Sequence, residues 1–258
     1  MSRAKSSTPE NGIHARGLPA QPNNSLITGI DCLQQLVGAG GPIGSREVAR
    51  RMGLTHTRVN RILGTLAYMG LLERDADRRY RPGPRLHALA AQSMMASGLL
   101  PAALPTLKEL RSDGYTVALG TIWNGQVCYL FHERPGQSIE GAILRHELWP
   151  ADHSTIGVAL LAAQDGPPGP IPPAPGNVPE SLLPGQDIET TVEAARKRGY
   201  AVLKFEDDIV SIGTTIGHPP VAGVAISSRH IGDNFIPDIS KRLQAAADAI
   251  EQRLASGG

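Results

Sequence analysis

Between Ser45 and Gly70 the sequence reads SREVARRMGLTHTRVNRILGTLAYMG, two short helical patterns separated by Gly53-Leu54. The first runs from Arg46 to Met52 behind Ser45, whose hydroxyl suits an N-cap because it can accept a free backbone N–H. The second follows Thr55, another capping residue, and brings Val59, Ile62, Leu63, Leu66 and Met69 onto one stripe. Gly70 stands where a left-handed residue closes a helix. A third pattern precedes these at 25–37, where Leu26, Ile30, Leu33 and Val37 recur three and four apart; GAGGPIG stops it, because glycines and a proline are costly in a helix. After Gly70 comes LLERDADRRYRPG, in which Leu71 and Leu72 enter a strand, DADR turns and Arg79-Tyr80-Arg81 returns. Three short helices and a basic hairpin make a self-contained unit.

Such a unit has the parts of a winged helix-turn-helix. One helix props a second, whose outer face enters the major groove of duplex DNA. Opposite the apolar stripe of the second helix stand His56, Thr57, Asn60 and Arg61, with Arg58 near its start. Arginine grips guanine edges bidentately, asparagine does so with adenine, and threonine serves base or phosphate. Ser45, Arg46 and Thr55 complete the expected contacts from the helix starts. On the hairpin, Arg74, Arg78, Arg79 and Arg81 are expected along the phosphates or the adjoining minor groove, giving affinity and register more than sequence choice. The competing explanation is plain solvation, since any surface helix has a polar side.

Charge distribution favours the first reading. Residues 25–85 hold ten Lys or Arg against five Asp or Glu, whereas residues 86–258 hold twelve against eighteen. An acidic partner is therefore drawn to the front of the chain. Aromatic residues make up 4%, too few for a broad stacking platform. Two distant cysteines, Cys32 and Cys128, do not resemble a disulfide scaffold. No apolar run approaches membrane-spanning length, and a reducing cytoplasm is the expected location.

The remainder reads differently. Residues 1–24 are polar and broken by glycine and proline, the expectation being a flexible arm; 25–84 is the helix-turn-helix unit, 85–98 a linker helix with Leu86, Leu89, Ala90 and Met94 on one side, and 99–258 a second domain. A further helix is expected to run to about Leu110. From Tyr115 the period changes: TVALGTIWNGQVCYLFHE holds two strands joined at Asn124-Gly125, a tight-hairpin signal. GAILRHELWP reads as another strand, 154–164 as a short buried helix and 166–185 as an irregular proline-rich excursion. A helix bearing Ile188, Val192 and Ala195, three strands (YAVLKF, VSIGTTIG, AGVAISS) and a closing helix from Pro237 to Leu254 follow. This order predicts an α+β domain with an antiparallel sheet.

The segment SREVARRMGLTHTRVNRILGTLAYMGLLERDADRRYRPGPRLHALA resembles the DNA-binding domain and linker start of the IclR-type bacterial transcriptional regulators. Arg61-Ile62-Leu63 falls where that family has Arg-Leu-Leu, and Tyr80-Arg81-Pro82-Gly83 where Tyr-Arg-Leu-Gly is common. Behind, STIGVALLA, ARKRGYAV and VAGVAISS follow in the family's order. The resemblance covers nearly the whole chain from residue 25. It implies a two-domain protein, an N-terminal winged helix-turn-helix joined by a helix to a GAF-like effector domain, that binds palindromic double-stranded operator DNA as a homodimer or dimer of dimers. It also implies a repressor controlled by a small organic effector, acidic or aromatic. Where the family has Gly-Lys-Ala this chain has Gly157-Val158-Ala159, so the lysine is missing. The loop at Ser154, Thr155 and Ile156 can still offer backbone N–H groups to an anion at a helix start, and alignment places Leu203 or Lys204, Gly213, Ile226 and Ser228 at the effector positions, a more apolar set than in acid-binding relatives.

Catalytic, cofactor and metal signatures are not evident in the sequence. It contains neither Gly-x-Gly-x-x-Gly nor Gly-x4-Gly-Lys-Ser/Thr, and HELWP fails the His-Glu-x-x-His pattern at Pro150. His132, Glu133, His146, Asp152 and His153 have no metal-ligand spacing, and Cys128 alternates with Val127 and Tyr129 as a strand residue rather than a nucleophile. The expectation is a protein without catalytic residues, metal or cofactor.

Overall fold

The computed structural model describes residues 20–112, 114–136, 148–164 and 187–257. The chain divides into two compact units, the front one closing at Ser97 and the rear one beginning at Gly98.

In the front unit, α1 (Asn24–Val37), α2 (Ser45–Arg51) and α3 (His56–Tyr68) pack around Cys32, Leu36, Val48, Ala49, Val59, Leu63 and Leu66. Gly53, at φ +62°, makes the tight turn between α2 and α3 that a side chain would strain. The expected stripe on α1 is only partly the buried one. Cys32 and Leu36 face the core, whereas Leu26, Ile30 and Val37 are exposed, Leu26 by 63%. A helix with apolar residues on two sides has no unique periodic face, and packing against α3 selects the cysteine side. On α3, likewise, Met69 lies beyond the stripe and is exposed.

The wing is a three-stranded antiparallel sheet in the order β1-β3-β2, formed by β1 (Ile43–Gly44), β2 (Leu72–Arg74) and β3 (Arg79–Pro82). The expected two-stranded hairpin is thus joined by Ile43-Gly44, which pairs with Tyr80 and Arg79. Two residues are too few to show an alternating pattern. Tyr80 points inward and is buried, and the flanking Arg79 and Arg81 point out. Helix α4 (Pro84–Ala96) ends the unit with no buried residue; Leu89 and Met95 are exposed.

The rear unit is an α+β sandwich. Among the described residues six strands, β4 (Thr116–Trp123), β5 (Gln126–Glu133), β6 (Trp149–Pro150), β7 (Ala201–Lys204), β8 (Val210–Ile216) and β9 (Ala222–Ser228), form an antiparallel sheet in the order β6-β5-β4-β9-β8-β7. Asn124 and Gly125 both take positive φ in the β4–β5 turn, as the dipeptide predicts. One sheet face carries Val117, Leu119, Ile212, Val224 and Ile226 against α5 (Leu99–Ser112) and the closing helix α8 (Ile236–Ser256). The other carries Ala118, Val127, Leu203 and Ala225 against α6 (Thr155–Ala162) and α7 (Ile188–Arg198). All eight residues of α6 are buried. Gly98, at φ +67°, separates α4 from α5, and Pro101 sits harmlessly in the first turn of α5, where its missing N–H has no helical partner to lose. Of the expected strand GAILRHELWP only Trp149-Pro150 forms β6; its residues 141–147, His146 among them, and the proline-rich segment 166–185 lie outside the described residues, as does most of the N-terminal arm.

Candidate nucleic-acid interface and effector face

Helix α3 buries Val59, Leu63 and Leu66 and turns the opposite side outward. Thr57, Arg61, Gly64 and Tyr68, spaced four, three and four apart, share that outer face. Thr57, Asn60 and Arg61 are exposed, and their side chains hold no hydrogen bond or ion pair among the described residues. Tyr68 is 91% exposed. It is not among the expected contacts, although its spacing from Thr57 and Arg61 was legible in the sequence.

The residues around this face hold it in place. Ser45 is not the cap of α2 but its first residue, the cap position being taken by Gly44 in an extended conformation. Its Oγ is instead hydrogen-bonded to His56 Nε2 at 3.0 Å, which ties the start of α2 to the start of α3. Thr55 occupies the cap position of α3, yet its hydroxyl makes no capping bond. Arg58 Nη2 donates to Thr28 Oγ1 on α1 at 2.8 Å, so this guanidinium is anchored at the edge of the face. Arg46 is exposed at the start of α2. Glu47, beside it, accepts from Arg50 and Arg51 at 2.7–2.9 Å, and those bonds pull its carboxyl down to about 2.

The wing arginines differ from expectation. Arg78 stands at the turn with φ +62°, and the Arg74 guanidinium lies 5.5 Å from the centre of the Tyr80 ring. Arg79 and Arg81 are not free cations. Arg79 Nη2 donates to Asp77 Oδ2 at 3.0 Å and its Nε to Asp75 Oδ2 at 3.3 Å; Arg81 donates to Glu73 Oε2 through Nε and Nη2 at 3.0 and 2.8 Å. The hairpin's own carboxylates stand opposite its arginines, Glu73 in direct cross-strand register with Arg81.

The seven expected effector residues fall on both sides of the rear sheet. Ser154, Thr155, Ile156, Leu203 and Gly213 lie on the α6 side, where a Cβ on Gly213 would come within 3.0 Å of Thr155. Ile226 and Ser228 lie on the opposite side: Ile226 pairs with Ile212 and Val117 and packs towards α5 and α8. Strand alternation puts Ala225 and Ser227 on the α6 side, since a shift of one residue exchanges the faces. The start of α6 is closed rather than open to an anion. Ser154 Oγ accepts from Gly157 N at 3.4 Å, and the turn Ala151–His153 packs directly on Gly157. Tyr129 Oη and Ser154 Oγ share a hydrogen bond of 3.0 Å, while Thr155 Oγ1 is buried with no hydrogen-bond partner.

The candidate metal residues are occupied elsewhere or apart. Glu133 pairs with Arg111 at 2.7 Å, Asp152 with His153 at 2.8 Å, and His132 meets the Tyr129 ring edge-on. Among the described residues no three His, Cys, Asp or Glu gather as a metal-holding group, and no helix is long and apolar enough to cross a membrane. Cys128 is half-buried, and burial raises its thiol above the ordinary range.

These features have counterparts in known proteins. The IclR helix-turn-helix domain matches residues 25–76. The HTH-type transcriptional regulator BhcR of Paracoccus denitrificans is 29% identical over 153 residues, 57% of this chain and 54% of that protein, so the chain spans about half the length of the curated relative it matches. An IclR family transcriptional regulator from Brucella abortus has the same fold, with a TM-score of 0.69 at 19% identity over 93% of this chain and 96% of that one. An IclR homolog from Microbacterium hydrocarbonoxydans, solved in complex with 4-hydroxybenzoate, superposes with a TM-score of 0.59 at 20% identity over 90% of this chain and all of that one. The chain thus carries an IclR helix-turn-helix domain at residues 25–76, and its fold, with an antiparallel α+β domain behind, is that of solved IclR-type regulators.

Proposed function

We propose that the protein is a sequence-specific repressor that reads palindromic operator DNA as a homodimer or dimer of dimers and releases it on binding a small organic effector. Residues 25–84 serve as the DNA-binding domain, 85–98 as the linker and 99–258 as a GAF-like effector and oligomerisation domain. The observation that carries this reading is the outer face of α3: Thr57, Asn60 and Arg61 stand exposed and unengaged on a helix whose other side is fixed in a core. Solvation alone gives no reason for Ser45 and Thr28 to anchor the flanking His56 and Arg58. Base readout does, because contacts to base edges need side chains held in register.

Effector binding fits the α6 side of the sheet, with Thr155, Leu203, Gly213, Ala225 and Ser227 near the ligand. An unpartnered buried hydroxyl costs about 1–3 kcal/mol, so a polar ligand atom reaching Thr155 Oγ1 is favoured. The relative bound to 4-hydroxybenzoate supports an aromatic or acidic effector. The ligand shifts DNA occupancy only to the extent that it prefers one arrangement of the paired heads. Selection of duplexes from a random pool by the purified full chain at low salt tests the proposal. Enrichment of one palindromic sequence is expected, with its recovery changed by candidate aromatic acids. An unenriched pool means that the front unit makes protein contacts instead.

A further inference from the structure

The wing holds almost as many carboxylates as guanidinium groups. Between Leu72 and Pro82 stand Arg74, Arg78, Arg79 and Arg81 beside Glu73, Asp75 and Asp77, and of the arginines Arg79 and Arg81 are paired with these carboxylates. Helix α3 by contrast carries Arg58 and Arg61 and no acid. The wing acids are not equivalent. Asp75 accepts the Arg79 backbone N–H at 2.7 Å and so shapes the turn. Asp77, whose side chain is 75% exposed, and Glu73 make no hydrogen bond among the described residues other than those to Arg79 and Arg81. Exposed ion pairs of this kind contribute little to stability. Fold stability therefore does not account for them.

Taken with the reading of this surface as duplex-facing, the geometry points to Glu73 and Asp77 as counter-charges that restrain the wing's grip on phosphate. They occupy N–H groups of Arg79 and Arg81 that a phosphate would otherwise take, and their own charge repels the strand. Phosphates carry no sequence information, so the restraint acts on every duplex alike and leaves discrimination to α3. The wing sets how tightly the protein holds DNA; α3 sets which DNA it holds.

Fluorescence anisotropy of the full chain on its selected duplex and on a scrambled one, at several salt concentrations, tests this. Glu73→Gln and Asp77→Asn keep side-chain size and remove one charge each. Each tightens binding to both duplexes by the same factor, about three-fold at low salt, the Boltzmann weight of one unit-charge repulsion at roughly 7 Å in water. The logarithmic salt dependence steepens by up to about 1 for each arginine released to a phosphate. The ratio between selected and scrambled duplex stays constant. Asp238→Asn, an equal change of charge on α8 in the rear unit, leaves binding unchanged. Unchanged or weaker binding by the two wing variants overturns the inference, since the carboxylates would then be idle or would position the arginines. Equal tightening by Asp238→Asn overturns it too, as an effect of net charge. If the unsubstituted chain binds no duplex at all, the DNA-reading proposal itself falls, and this inference with it.

Discussion

Helices α3 and α6 both follow a hydroxyl residue and both contain a glycine, yet one shows an entire face to solvent and the other shows nothing. Helix α3 interleaves Val59, Leu63 and Leu66 with arginine, asparagine and threonine, so one core holds it and the rest is free for a partner. Helix α6, TIGVALLA, has no polar side to offer and is enclosed between the sheet and α7. On the proposed reading the front unit acts on an outer surface, whereas a ligand at Thr155 would meet a packed interior and would have to displace its neighbours.

The glycines give the largest break in that comparison. A methyl at Gly157 overlaps the Ala151 carbonyl oxygen, which is backbone and does not yield easily. Gly157→Ala is expected to destabilise the rear unit by about 3 kcal/mol or more, read as a lowered urea midpoint. An unchanged midpoint would mean that the Ala151–His153 turn does not close the start of α6. At a smaller scale, the buried side of α3 is probed through Cys32, which packs in the same core and whose thiol burial holds up at about 11 against an ordinary 9.0. A thiol raised in the folded state keeps its full stabilising contribution below the ordinary value and loses it as pH climbs towards the folded one. Front-unit stability should fall between about pH 9 and 11 in the natural protein and fall less in Cys32→Ala, as followed by thermal melting; parallel decline in both would contradict the burial. Smallest is Gly64→Ala on the outer face of α3, where nothing lies within 4 Å of the added methyl. It should stabilise the front unit by about 0.5–1 kcal/mol through helix propensity, visible as a raised melting temperature.

What the sequence disclosed follows the same divide. The helix-turn-helix was legible because Gly53, Gly70 and the stripe Val59-Leu63-Leu66 are local signals, as was the β4–β5 turn from Asn124-Gly125. Other features depend on partners distant in the chain. That Arg58 is held by Thr28 and Ser45 by His56 could not be read from spacing. The pairing of Ile43-Gly44 with the wing was hidden by its brevity. On β9, Ile226 and Ser228 face away from α6 while Ala225 and Ser227 face it, because alternation turns a single step into the opposite face. The ion pairs on the wing were within reach, since Glu73 and Arg81 flank a short turn, but counting arginines without their carboxylates made the wing look more basic than it is.

The central claim rests on Arg61, exposed in the middle of the outer face of α3 and without an ion pair among the described residues. Its most direct test is the ratio of affinities for selected and scrambled duplexes, measured by gel shift on the natural protein and on Arg61→Ala at one salt concentration. The account predicts that the ratio falls by about 1–3 kcal/mol, the worth of one good base contact, with most of the loss on the selected duplex. An equal loss on both duplexes, or none, would contradict it.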